Sequence, residues 1–394
     1  MASENRAGIP NSLHEHWMPF TSNKNFKKDP RLITEAKGVY LKDHKGRTQI
    51  DASSGLFCNP LGHGRKEIID AITKQLQTLD YVQPFQQGFG GSFELATRIA
   101  KQTPGNLNQI FYTICGSTAV ETALKICIAY HKARGHGQRF RFVGRERAYH
   151  GMNIGATSVG GMINNVKTFA SILMPGVVHM RHTHLPEHKF IKGQPETGAE
   201  LADDLERIAM NFGSENIAAC IVEPIAGSTG TLVPPKGYLQ KLRDICDKNN
   251  WLLMIDEVQT GFCRTGKWFA FQHSNIIPDV ICVAKALGNG VPIGACLAND
   301  KASKVLVPGS HGSTFGGNFL STSVGLKVLE IMKDQDLCKK SRESGSYFKS
   351  SLEKTLKDFN VIKEIRCKGL MVGIELKKDC MHLAPVSYTH LTLP

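Results

Sequence analysis

The sequence has no long hydrophobic run. No apolar stretch approaches the ~18 residues that span a bilayer, so no membrane-spanning helix is expected. The first ten residues carry no apolar signal core, and no secretory leader is expected from them. No CxxC pair occurs among the eleven cysteines, an odd number that fits neither a disulfide framework nor a zinc ribbon. Several, such as Cys220 and Cys282, sit inside apolar runs. They read as buried free thiols of a reducing, cytoplasmic compartment. No basic block exceeds a few residues despite a net charge of +13. Without aromatic-basic interleaving or a recognition-helix pattern, nucleic acid is not an expected partner. The positive balance fits attraction for small anions, and most of it is solvated surface. No internal repeat and no low-complexity segment stands out.

What is present is the composition of a globular protein, 41% hydrophobic and 21% charged. At 394 residues the chain is long enough for two domains or for one large domain with an appendage. Periodicity predicts an amphipathic helix over 65–79, with Ile68, Ile69, Ile72, Leu76 and Leu79 on one face. Further helices are predicted over 93–102, 117–133, 199–212, 236–249, 320–333 and 336–356. Strands are predicted at 109–113, 141–143, 218–222, 252–255, 279–283 and 370–376. Strands alternating with helices predict an α/β fold, a mostly parallel sheet with helices on both faces. The pattern changes beyond Asn299, where a smaller α+β domain is expected. The expected division is 1–58 as an N-terminal segment packing with the small domain, 59–305 as a large domain and 306–385 as the small domain. Residues 386–394 resemble a translated library adapter. The small domain is therefore expected to be cut short.

Two apolar strands end in chemistry. Leu252–Ile255 runs into Asp256, and Val280–Val283 runs into Lys285, 29 positions further on. In an open α/β sheet both side chains would reach the crevice at the carboxyl ends of the strands. A desolvated amine can form a Schiff base, and a carboxylate can keep a pyridine ring protonated. That combination suits pyridoxal phosphate, although a buried salt bridge is an equal reading of the pair alone.

Other stretches have two readings each. Cys115-Gly116-Ser117-Thr118 joins a strand to a helix, where free N–H groups and the dipole favour phosphate. An ordinary N-cap is the commoner explanation of such a turn. Tyr149, in Ala148-Tyr149-His150-Gly151, can stack on a flat ring or be a plain half-buried tyrosine. The glycine-rich loop 311–318 contains Thr314, a candidate phosphate ligand, or is simply a connection. Gly261-x4-Gly266-Lys267 nearly matches a P-loop. Trp268 stands where the Mg²⁺-ligating hydroxyl belongs, which excludes that chemistry. His179, His182, His184 and His188, with Glu187, are spaced unlike any familiar ligand motif and read as loop histidines, not a metal site.

Taken in order from about His16 to Pro385, these motifs resemble the class III aminotransferases of the PLP-dependent fold type I, and most of all the ω-amino acid–pyruvate branch. The stretches that carry the resemblance include 16–21, 62–66, 123–126, 144–147, 181–184 and Glu223-Pro224-Ile225-Ala226-Gly227-Ser228-Thr229-Gly230. The resemblance implies that Lys285 holds the cofactor covalently and then moves a proton between substrate and cofactor. It implies that Asp256 pairs with the pyridinium nitrogen, and that Val258 and Tyr149 pack on the two ring faces. It further implies that Gln259 reaches the phenolic oxygen and that Glu223 belongs to the cofactor site. Gly116 and Ser117 would hold the phosphate, together with Thr314 of a neighbouring subunit in a homodimer with shared sites. Phe57 and Phe85 would line the substrate pocket.

Where some relatives carry a glutamate five residues after Glu223, this sequence has Ser228, which fits the ω-amino acid branch. The family's carboxylate-binding arginine belongs to a C-terminal segment beyond this sequence, and Arg366 is not its equivalent. The implied activity is transfer of an amino group from a β-alanine-like donor to pyruvate by a ping-pong cycle. An aminomutase, a decarboxylating transaminase or an impaired PLP-binding protein stand as alternatives.

Overall fold

The computed structural model describes residues 12–188, 190–191 and 194–378, together with Pro10. The end of the expected small domain and the adapter-like stretch 386–394 lie outside the described residues.

The centre is a seven-stranded sheet. In spatial order its strands are Gln109–Thr113, Gly294–Ala298, Val280–Val283, Leu252–Asp256, Ile217–Val222, Arg141–Arg145 and Val177–Met180. Neighbours from Val280–Val283 to Val177–Met180 pair in parallel. Gly294–Ala298 alone runs against both of its neighbours. The sheet is thus mostly parallel, as its alternating strands and helices predict, and the reversed strand has no counterpart in the sequence reading. Nor do Val177–Met180, the hairpin strand Ile362–Lys368, or the short helices 154–159 and 163–168.

Every residue of Ile217–Val222, Leu252–Asp256 and Val280–Val283 is buried, because helices cover both faces. Side chains alternate between two cores. Leu252 and Met254 join the core under the helix Gly116–Ala133, while Leu253 and Ile255 join the core under Tyr238–Asn249 and Phe319–Asp334. The carboxylate of Asp279 fixes the register of the two central strands. Its Oδ2 accepts from Leu253 N at 2.9 Å and from Arg243 Nη1 at 2.8 Å, while Oδ1 accepts from Asn299 Nδ2 at 3.0 Å. The strands that end near Asp256 and Lys285 are therefore clamped together at their opposite end.

The helix predicted over 65–79 forms at Lys66–Thr78, but its apolar face is only partly covered. Ile68 is buried, whereas Ile69 and Leu76 are each about half exposed, at 51% and 50%. The prediction over 199–212 resolves into a 3₁₀ turn, Ala199–Asp203, followed by the helix Asp204–Phe212. Near the C-terminal side, the helix Leu337–Leu356 packs on the antiparallel pair Ile362–Lys368 and Met371–Leu376. A Cβ at Gly345 would lie 1.9 Å from the carbonyl oxygen of Gly369, so this close approach requires glycine. Among the described residues no helix is long and apolar enough to cross a membrane.

Candidate active site

Asp256 is the last residue of its strand, and Lys285 stands just beyond the end of the next one. Parallel pairing puts Asp256 opposite Cys282, so the two chemical side chains leave the sheet at the same edge. Together they line a cavity of about 330 Å³, a volume suited to a small ligand. Tyr149, His150, Glu223, Val258 and Gln259 share its wall, and Gly116 and Ser117 close one end.

Each carboxylate oxygen of Asp256 is held. Oδ1 accepts from Val258 N at 2.9 Å, and Oδ2 accepts from His150 Nδ1 at 2.7 Å. Because a carboxylate can only accept here, Nδ1 of His150 carries the proton. His150 Nε2 is buried with no hydrogen-bond partner. The sequence points to Tyr149 in this segment and not to its neighbour. The signal was present, since imidazole is a usual partner for orienting a buried carboxylate, but residues 150 and 256 meet only through sheet order.

Burial depresses the Lys285 amine below its ordinary range, more than the nearby Cys58, Asp256 and Glu223 restore it. Its Nζ lies 5.4 Å from the centre of the Phe57 ring. Lys285 has φ of 46°, a left-handed conformation that is rare for a long side chain. Phe57 closes a run in which Ser54, Gly55, Leu56 and Phe57 all have positive φ. Arg264 braces that run: its Nη2 donates to the Phe57 carbonyl at 2.9 Å, and its guanidinium lies 5.0 Å from the Phe57 ring centre. Burial lowers Arg264 to about 10. The sequence reading did not identify Arg264, which looks like one more basic residue in a loop.

Glu223 is buried, and its carboxylate accepts from Tyr149 N and Gly227 N, both at 3.0 Å. Burial raises its pKa, an effect that the charge of His150 opposes and that of Asp256 adds to. These bonds pin the loop that carries Tyr149. Burial likewise raises the phenol of Tyr149. Gln259 donates Nε2 to Ser228 Oγ at 2.7 Å. Glu257, the next residue after Asp256, faces away from the cavity and is fully buried. Burial lifts it to about 7, although Thr260 Oγ1, Ala270 N and Phe271 N all donate to it.

The turn Cys115–Thr118 begins the helix Gly116–Ala133, and Thr118 does cap it: Thr118 Oγ1 accepts from Cys115 N at 3.2 Å. The cap does not use the first N–H groups of the helix, at Gly116 and Ser117, which have no intrahelical acceptor. Val258 packs tightly here, since a Cβ on Gly116 would lie 2.8 Å from Val258 Cγ1. Gly151 is equally confined. It has φ of 120°, and a Cβ there would lie 2.2 Å from Ser117 Oγ, which itself accepts from Met152 N at 3.1 Å. The turn is thus both a helix cap and the end wall of the cavity.

Two expected site residues lie elsewhere. Thr314 is exposed, and its carbonyl accepts from Tyr81 Oη at 2.8 Å. Phe85 is 51% exposed and lines a separate pocket beside His311 and Gly312. The histidines of 179–188 do not converge. His179 Nε2 bonds the Gly160 carbonyl, and His188 Nδ1 bonds Thr197 Oγ1. His184, Glu364 and Glu375 come within metal-ligand reach of one another. Arg366 Nη1 already pairs with Glu364 at 2.8 Å and with Glu375, so a guanidinium supplies the positive charge there.

The site's residues suit a phosphorylated pyridine aldehyde. A buried amine and a doubly held carboxylate face one cavity, and a helix N-terminus closes its end. Residues 21–389 match the family model described as aminotransferase class-III. An omega-aminotransferase of Caulobacter vibrioides is 46% identical over 376 residues, 93% of this chain and 85% of its own length. A beta-alanine–pyruvate aminotransferase of Pseudomonas aeruginosa is 42% identical, across 93% and 83% of the two chains. Among solved structures, an (S)-enantioselective omega-transaminase from Thermomicrobium roseum superposes with a TM-score of 0.86 at 32% identity, covering 93% of this chain and 82% of that one. The omega transaminase of Pseudomonas jessenii in complex with PMP gives 0.85 at 31% identity, covering 92% and 82%. A buried amine beside a buried carboxylate, the type I fold and near full-length likeness agree: the chain belongs to the class III aminotransferases, enzymes that depend on pyridoxal 5′-phosphate.

Proposed function

We propose that this transaminase takes its amino group from an ω-amino acid or amine of the β-alanine type and passes it to pyruvate in a ping-pong cycle. The juxtaposition of Lys285 and Asp256 at one end of adjacent parallel strands, facing one cavity, carries the reading. The pyruvate acceptor is supported by the names of two relatives, each 42% identical, a beta-alanine–pyruvate and an omega-amino acid–pyruvate aminotransferase, and by Ser228 in the place where some relatives carry a glutamate.

Bound pyridoxal phosphate supplies an electrophilic aldehyde and an electron sink. Lys285 is the residue that would bind it covalently. Its depressed pKa leaves a larger fraction of neutral amine, the nucleophilic form. The same amine, once released, is placed to take a proton from the substrate carbon and return it. Asp256, fixed by His150 and Val258 N, holds the ring nitrogen protonated. Tyr149 and Val258 confine the ring, Gln259 and Glu223 secure the neighbouring loops, and the N–H groups of Gly116 and Ser117 receive the phosphate. Phe57 keeps water from the amine.

Thr314 and Phe85 are assigned to the cavity of a second copy, in a homodimer with shared sites. Both are exposed in the single chain, and aromatic surface surrounds them, including Phe93 at 69% and Phe315 at 56% exposure. A cytoplasmic location fits the ten described cysteines, all of them free.

Lys285→Ala tests the assignment. It should abolish the visible absorbance of lysine-bound cofactor and remove turnover of β-alanine with pyruvate; an unchanged spectrum would sink it. Addition of β-alanine alone to the wild-type holoenzyme should bleach the same band, with pyruvate restoring it. No bleaching would refute the donor class while leaving the site intact.

A further inference from the structure

We propose that Cys263 and Cys338 are a modification site, a thiol pair that a peroxide or a low-molecular-weight disulfide oxidises to an internal disulfide. The pair lies outside the cavity and has no part in amino transfer. Its sulfurs are 3.1 Å apart although the residues are separated by 75 positions in sequence. A disulfide is about 2.05 Å long, so the bond needs an approach of roughly 1 Å. Cys263 is almost wholly buried, at 2% exposure, and Cys338 is half-buried, so a small oxidant reaches the pair through Cys338.

The surroundings favour attack by Cys338. It is the second residue of the twenty-residue helix Leu337–Leu356, where the dipole and free N–H groups stabilise a thiolate. Arg342, one turn further on, donates Nη1 to the Gly266 carbonyl at 2.5 Å and so brings its guanidinium to the same turn. Asp336, the helix N-cap, is the opposing charge and is partly engaged with Lys339 N at 3.2 Å. The hydrogen bond shared with Cys263, together with the Arg342 charge, moves the Cys338 thiol below its ordinary range. The same bond and burial move Cys263 above it.

With a peroxide, the Cys338 thiolate attacks one oxygen, giving a sulfenic acid and hydroxide. The Cys263 thiol then attacks the Cys338 sulfur, the S–S bond forms, and water leaves. Two thiols lose two electrons and two protons in total, and the peroxide is reduced to two waters. With a low-molecular-weight disulfide, the Cys338 thiolate breaks its S–S bond and releases one half as thiolate, and the Cys263 thiol then displaces the other half as thiol; a dithiol reductant reverses either route. The bond would tie the turn before Arg264 to the C-terminal helix. Arg264 braces Phe57, whose ring covers Lys285, so the link would reach the cavity wall through one covalent neighbour.

The test uses the full chain, reduced and then treated under native conditions with hydrogen peroxide, or separately with oxidised glutathione. Remaining thiols are alkylated and the peptides mapped by mass spectrometry. The expected result is a Cys263–Cys338 linked peptide that dithiothreitol abolishes, with the apparent melting temperature raised by about 5 °C. In Cys338→Ser and Cys338→Ala the linked peptide and the thermal shift should both vanish. The proposal is overturned if both thiols stay alkylatable while other cysteines oxidise. It is equally overturned if Cys338 stops as a sulfenic acid or a glutathione adduct, or if the thermal shift survives in the Cys338 variants.

Discussion

His150 Nδ1 donates to Asp256 Oδ2 across 2.7 Å, and both side chains are buried. The bond leaves Asp256 with one oxygen on a side chain and the other on the Val258 amide. A carboxylate so restrained cannot swing out of the cavity.

His150 is therefore a positioning residue. His150→Ala should lower kcat about tenfold with little change in KM, and it should blue-shift or weaken the cofactor absorbance. His150→Asn, which can place an N–H near the position of Nδ1, should recover most of the loss. Equal kcat in all three proteins would count against the role.

Asp256→Asn should keep the cofactor bound while turnover falls by about two to three orders of magnitude, the scale of losing one preorganised charge. Steady-state rates and absorbance spectra of the same preparation check it. Near-normal turnover would remove Asp256 from the mechanism.

Gly151→Ala places a Cβ 2.2 Å from Ser117 Oγ, at a φ of 120° that side chains rarely adopt. The displaced Ser117 would spoil the end wall of the cavity. The expected outcome is at least a roughly tenfold weaker affinity for pyridoxal phosphate, read by absorbance titration of the apoprotein. Wild-type affinity would show that this wall does not receive the phosphate.

Glu375 governs part of the acid stability. Burial alone would raise its pKa, but hydrogen bonds from Lys363 and Arg366, with His184, hold the carboxyl down to about 2. A carboxyl depressed in the folded state stabilises above its unfolded pKa, and that contribution is lost as pH falls from about 4.5 towards 2. Glu375→Gln should reduce stability at pH 7 by about 2 kcal/mol and flatten the dependence below about pH 4.5. Urea midpoints measured at pH 7 and at pH 3.5 check this. An identical drop at both pH values would contradict the ionic origin.

Sedimentation should find a dimer. Thr314→Ala should weaken cofactor retention even though Thr314 lies outside the cavity of its own chain. A monomeric, fully active protein would exclude the shared site.

Much of this site is legible in one dimension because its chemistry sits at the ends of local patterns. Asp256 and Lys285 each follow an apolar run, and Gly116-Ser117 opens a helix; these are facts of period and punctuation. The reversed strand Gly294–Ala298 was not legible, because its five apolar or small residues carry no alternation that reveals direction. Nor was the half exposure of Ile69 and Leu76, since an amphipathic face shows that something apolar is available, not what covers it.

The amino-acid sequence by itself put a carboxylate and an amine at the ends of successive strands, and a Gly-Ser turn at the start of a helix. The tertiary structure alone decided which groups govern that pair. His150 reaches Asp256 and Arg264 reaches Phe57 across 106 and 207 positions. The physical reason is that hydrogen-bonding partners in a sheet protein are chosen by strand order and by the packing of helices on it. Those long-range contacts leave no periodic trace in the chain.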